Sequence, residues 1–215
     1  MKDAGTEAKR DAGPNKPNFM TANSLAASLG DYEGPVRATL AEAARNHVVE
    51  RIWNKDAGLW KQEASHQKII INSLGWLTVA TQMLAVADEL RSFVDSVRAS
   101  GDFQHVMVCG MGGSSLCPEV LRQTFGRQEG CPELLVLDST DPDVVNNFRN
   151  QIDIDRCLFV IASKSGTTTE PIVFHRYWYN EVAKHSAEPG KSFITITDPG
   201  SQMADTAAAE GFRRI

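Results

Sequence analysis

The sequence predicts an α/β fold: a parallel sheet flanked by helices on both faces and preceded by an N-terminal helical cap. Three observations lead there. From His105 onward, short apolar runs rich in β-branched and aromatic residues alternate with longer segments of helical spacing, the mark of repeated βα units in a parallel sheet. Two of those runs lead directly into loops dense in Gly, Ser and Thr, Gly110-Met111-Gly112-Gly113-Ser114-Ser115 and Ser163-Lys164-Ser165-Gly166-Thr167-Thr168. Before residue 100 the apolar residues recur at the spacing of amphipathic helices instead.

Taken in order, Met1 to about Met20 is polar and rich in Lys, Asp, Asn, Gly and Pro, with almost nothing to bury. Such composition reads as a disordered arm or an interdomain linker. Residues 21–100 are expected to form the helical cap leading into the domain. Pro35 can open a helix to about Trp53, with Val36, Leu40, Ala43, Ala44, Val48 and Ile52 as its apolar stripe. Asn54 to Trp60 has the composition of a turn. A second long helix is expected from about Ile70 or Asn72 to Ala99, through Leu74, Leu77, Val79, Leu84, Val86, Leu90, Phe93 and Val97.

Residues 101–215 carry the sheet. Strands are expected near residues 105–109, 133–138, 157–162 and 192–197, and helices near 115–126, 142–150, 169–187 and 200–210. Pro118 and Pro171 are expected in first turns, where proline is tolerated. Asp141 and Asp198, each followed by proline, are expected to cap the next helix. Trp53, Trp60, Trp76 and Trp178 read as core and cap packing. Phe212 to Ile215 reads as the start of a further element, so the sheet is expected to be cut short.

Composition narrows the function. The chain has 215 residues, 42% hydrophobic and 23% charged, with a formal net charge of -5. An acidic balance without clustered Lys and Arg argues against nucleic acid or an anionic membrane as partner. There is no apolar run of the ~20 residues that span a bilayer, and the first residues lack a leader pattern, so cytoplasmic residence is the expectation. Cys109, Cys117, Cys131 and Cys157 are scattered, as are the five histidines. Structural thiols are expected, with no metal and no cofactor.

The two glycine- and hydroxyl-rich loops carry the chemistry. A helix N-terminus presents backbone N–H groups without intrahelical partners and a partial positive charge, which suits an anion. Glycines let the backbone approach a phosphate closely, and Ser and Thr add compact donors. The first loop departs from the dinucleotide pattern G-x-G-x-x-G, because Ser115 stands at the third glycine, and the P-loop Gly-Lys-Ser/Thr is absent. The second loop places Ser163, Ser165, Thr167, Thr168 and Thr169 within seven residues. Thr167 or Thr168 could also serve as an N-cap. Lys164 points either at ligand or at solvent, and Glu170 either complements the helix dipole or faces a ligand.

These residues resemble the sugar-isomerase (SIS) domain of the phosphoglucose isomerase family. The matching stretches are Val108 to Leu116, Val136 to Pro142, Ser163 to Pro171 and Ile196 to Gly200. The likeness runs from about Arg51 to Ile215 and is strongest to the isomerase portion of transaldolase fusions, through Leu59-Trp60 and Leu74-Gly75-Trp76-Leu77. Many members read Ser-Lys-Thr-Phe-Thr-Thr in the second loop, where this chain has Ser165 and Gly166 in the middle.

The resemblance implies a hexose 6-phosphate as the small-molecule partner. Its phosphate would be bound by Gly113, Ser114, Ser163, Lys164, Ser165 and Thr168, with Glu170 a substrate neighbour. The implied reaction is aldose-ketose interconversion of glucose 6-phosphate and fructose 6-phosphate through an enediol. The family's catalytic Glu, His, Lys and Gly-Gly-Arg motif have no counterpart here, so this chain is expected to supply the phosphate-binding half, to lack catalytic residues, and to be inactive alone. A transaldolase domain on the N-terminal side and the rest of the isomerase on the C-terminal side are expected neighbours. The family leaves homodimer and monomer both open. The alternative is a non-catalytic SIS module or regulator that binds sugar phosphates.

Overall fold

The computed structural model describes residues 29–215; the arm expected over residues 1–20 lies outside the described residues. The chain divides into two compact units, up to Gln82 and from Met83 onward.

The first unit is helical. Helix α1 spans Glu33–Arg45 and α2 Val48–Trp53. The single helix expected there is broken at His47, whose φ of 51° is left-handed and cannot continue a right-handed helix. The expected turn follows: Asp56 accepts from the Gly58 N–H at 2.9 Å and from Arg51 Nε at 2.6 Å. The second long helix is also divided, into α3 at Ala64–Ser73, a 3-10 turn at Gly75–Leu77, α4 at Val79–Ala85 and α5 at Ala87–Ser100, the last belonging to the second unit. Periodicity survives such breaks because each lasts only a few residues, whereas the hydrogen-bond ladder does not. Trp53, Trp60 and Trp76, expected to be packed, are exposed.

The second unit holds four parallel strands, β1 at His105–Gly110, β2 at Glu133–Leu137, β3 at Cys157–Ala162 and β4 at Phe193–Ile196. Their order is β2-β1-β3-β4. Helix α6 spans Gly113–Phe125, α7 Pro142–Gln151, α8 Thr169–Ala183 and α9 Gln202–Ala209. Asp141 caps α7 as expected, accepting from the Asp143 and Val144 N–H groups with Pro142 in the first turn. Asp198 does not cap α9; Ser201 does, accepting from Ala204 N–H at 3.1 Å. Pro118 lies inside α6 rather than in its first turn.

Alternation on the strands sorts the core. Met107, Cys109, Leu137, Phe159, Ile161 and Phe193 point to one face and pack with Phe174, Trp178 and Val182 of α8, and with Val144, Val145 and Phe148 of α7. The Phe159 ring stacks on Trp178 and Phe193 with centroids 5.0 and 5.1 Å apart. Val108, Val160 and Ala162 form the core of the opposite face. Right-handed crossovers put α6, which leads from β1 to β2, on that second face, while α7 and α8, which run the other way across the sheet, cover the first. Beyond β4, the Arg214 carbonyl accepts from Thr195 N–H at 3.0 Å, and Ile194 and Arg214 form a parallel bridge.

Candidate functional site

Strands β1 and β3 are neighbours, paired from His105↔Cys157 to Gly110↔Ala162. Their following helices leave to opposite faces, and adjacent strands that part in this way open a crevice at their carboxyl ends. Both hydroxyl-rich loops therefore emerge side by side. Gly110 is required at the exit: a Cβ there would stand 2.9 Å from Ser114 Cβ and 3.0 Å from the Ala162 carbonyl oxygen. Gly112, with φ 57° and ψ -127°, turns the chain into α6 through backbone space that only glycine occupies cheaply.

The crevice holds a cavity of about 500 Å³ lined by Met111, Gly113, Ser114, Ala162, Ser163, Lys164, Ser165, Thr168 and Pro171. All six residues expected to grip an anion line it. Glu170 does not; it sits half-buried in the first turn of α8. The lining carries one cation, Lys164, and no carboxylate, imidazole or thiol.

Several donors here lack acceptors among the described residues. Neither α6 nor α8 receives a side-chain cap, and Thr168, at the N-cap position of α8, makes no capping hydrogen bond. Ser163 is 4% exposed, yet its hydroxyl has no hydrogen-bond partner among the described residues. Buried polar groups are nearly always paired, and an unpaired one at a cavity wall calls for a ligand atom or water. The Ser165 hydroxyl lies 3.0 Å from Thr167 Oγ1 and accepts from Thr167 N–H at 3.2 Å, which shapes the loop. Ser115 Oγ donates to the Gly112 carbonyl at 3.0 Å and fixes the first turn. Two helix starts, a buried hydroxyl and Lys164 border the cavity without a negative charge in its lining, an arrangement whose chemistry suits an anion. The lining suits binding rather than proton transfer from carbon.

The second loop is held from behind. Ser163 N–H donates to the Ile196 carbonyl at 3.0 Å, and the Lys164 carbonyl accepts from Asp198 N–H at 3.0 Å and from Thr197 Oγ1 at 3.3 Å. Gly166, at φ 69°, packs so closely that a Cβ would lie 2.8 Å from Met203 N and 3.0 Å from Ser201 Cβ. Thr197 lies in the Ile196 to Gly200 stretch noted in the sequence, but its bond to a main-chain carbonyl was not foreseen, and Ser201 lay outside the stretches noted, because no sequence motif displays a main-chain carbonyl as partner. Among the described residues no group of three or more His, Cys, Asp or Glu could hold a metal ion, and no helix is long and apolar enough to cross a membrane.

Fold and site together define an α/β protein with a crevice lined by hydroxyls and loop backbone at the switch point of a parallel sheet. Residues 61–205 match the phosphoglucose isomerase family, and the chain belongs to that family. A glucose-6-phosphate isomerase of Chlamydia trachomatis serovar A is 28% identical over 162 residues, covering 74% of this chain and 28% of that protein. One from Bordetella avium is 32% identical over 126 residues, covering 56% of this chain and 23% of its own length. The chain thus spans about a quarter of the length of these relatives.

Among solved structures, a hypothetical protein from Thermus thermophilus superposes with a TM-score of 0.59 at 19% identity, over 86% of this chain and 41% of the other. A glucose-6-phosphate isomerase from Chlamydia trachomatis superposes with a TM-score of 0.51 at 23% identity, over 76% of this chain and 29% of the other. At these identities the likeness speaks for the SIS-type α/β fold.

Proposed function

We propose that this chain forms the phosphate-binding part of a glucose-6-phosphate isomerase, holding the phosphate of a hexose 6-phosphate between the loops after β1 and β3. The observation that carries this reading is the convergence of Gly113, Ser114, Ser163, Lys164, Ser165 and Thr168 on one cavity in which the buried Ser163 hydroxyl has no partner among the described residues. On this reading residues 101–215 are the sugar-phosphate-binding domain and residues 21–100 lead into it.

The reaction interconverts glucose 6-phosphate and fructose 6-phosphate by ring opening and proton transfer between C1 and C2 through an enediol. That transfer needs a base and a stabiliser for the enediolate. The cavity lining offers no carboxylate or imidazole for it. We assign those groups to the part of the family fold that this chain does not match, and Glu170 to a place near the sugar. The grip supplied here holds the non-reacting end of the substrate, where binding energy goes into orientation.

Titration with 6-phosphogluconate and fructose 6-phosphate tests the assignment. Wild type is expected to bind both, and Ser163→Ala/Thr168→Ala to bind neither measurably. Equal binding by the double variant rejects it. A coupled assay is expected to detect no protein-dependent formation of fructose 6-phosphate by this chain alone, and clear turnover would reject the division of labour.

A further inference from the structure

We infer that Thr197, which lies in the turn after β4 and in neither hydroxyl-rich loop, is a positioning residue that aims the Ser165 backbone N–H at the phosphate. The inference rests on the proposed phosphate site and extends it to the turn behind. Thr197 is the hub of a chain of hydrogen bonds whose direction can be assigned. Its Oγ1 lies 3.3 Å from the Lys164 carbonyl oxygen, which can only accept, so the Thr197 hydroxyl proton goes there. The Ser201 hydroxyl, 2.7 Å away, must then donate to Thr197 Oγ1, leaving its own lone pair to accept from Ala204 N–H at 3.1 Å. The chain runs from the first turn of α9 through Ser201 and Thr197 to Lys164, and Ser201 is 9% exposed.

Its consequence follows from peptide geometry. The Lys164–Ser165 peptide is trans, as are all the peptide bonds of the described residues, and in a trans unit the C=O and the N–H point in opposite directions. Two bonds from the β4–α9 turn, the Thr197 hydroxyl and Asp198 N–H, hold the Lys164 carbonyl toward that turn. The Ser165 N–H is thereby turned away from it, and Ser165 lines the cavity. That N–H has no backbone acceptor among the described residues. An amide held in one orientation before the anion arrives binds it without the cost of ordering the loop. Gly166 completes the arrangement, since its missing side chain lets Ser201 and Met203 press directly on the loop.

The test uses the whole 215-residue chain, orthophosphate as probe and amide NMR as readout. Thr197→Val keeps the shape and removes the hydroxyl; Thr197→Ser keeps the hydroxyl. Thr197→Val is expected to move the Ser165 amide resonance in the unliganded protein and to weaken orthophosphate binding about three- to tenfold, and Thr197→Ser to restore both. A role in stability alone would lower the melting temperature of Thr197→Val while leaving the affinity of the folded protein unchanged, and that result overturns the inference. Should Thr197→Val fail to fold, Ser201→Ala interrupts the same chain at its next link and is read by the same two signals. Wild type that binds no orthophosphate defeats the reading of the site itself and the inference with it. Wild-type binding equalled by the valine variant defeats the positioning role alone.

Discussion

Ser163 offers an uncommon pair of opposite expectations. Its hydroxyl is buried and unpartnered among the described residues, a situation that costs about 1–3 kcal/mol. Ser163→Ala should therefore leave the melting temperature unchanged or raise it, while weakening hexose phosphate binding about tenfold, through loss of a hydrogen bond to a charged group. Differential scanning fluorimetry with and without ligand reads both. Gly166→Ala should lower stability by about 1–3 kcal/mol, because alanine resists φ 69° and its Cβ would press on Met203 N; urea unfolding measures it. The loop residues were legible because hydroxyls and glycines announce themselves in sequence. The stretch that holds Thr197 was legible too, but the role of Thr197 was not, because its partner is a carbonyl 33 positions away.

At the level of elements, the four strands were legible to within a residue or two, since apolar β-branched runs between polar turns leave few alternatives. The two long helices were not. Their stripes of Val, Leu and Ile continue across His47 and across Gly75, where the backbone turns out of the helix. The sheet itself leans on its aromatic centre: Phe159→Ala should cost about 3–5 kcal/mol in urea unfolding, because it vacates the contact between Trp178 and Phe193.

Helix α6 carries a pH signature as well. Hydrogen bonds from Arg122 and Gln123 pull the Glu119 carboxyl down to about 2 from an ordinary value of 4.5. A carboxyl depressed on folding contributes stability that is present above pH 4.5 and lost as pH falls toward about 2. Glu119→Gln should therefore flatten the slope of stability against pH in that acid window and leave the slope near neutrality unchanged, as urea unfolding across the acid range would show. The pair is only half-buried, so salt should shrink the difference.

For the whole molecule, three of the four cysteines divide into an accessible and an inaccessible class, with Cys131 in between. Cys117 is exposed, while Cys109 and Cys157 are buried in the strands. Burial pushes the Cys157 thiol up to about 12 and that of Cys109 well above its usual value, so both stay neutral thiols at working pH. A thiol reagent should modify Cys117 rapidly and reach Cys109 and Cys157 only at the rate of global opening; mass spectrometry of a labelling time course separates the two. Slow, uniform labelling of all three would contradict the burial described.

The strand order has a consequence in time as well as in space. Residue 110 leaves the first strand early, yet its neighbour at the crevice is residue 162, and β2 with its helix, on the other side of β1, intervenes in the chain between them. The crevice therefore comes into being only when a strand synthesised about fifty residues later slots in beside β1. Any anion clasped there stabilises only chains that have completed that pairing. Its presence should slow hydrogen exchange along β1 and β3 more than along β2, making the ligand a witness to the assembly of its own receptor.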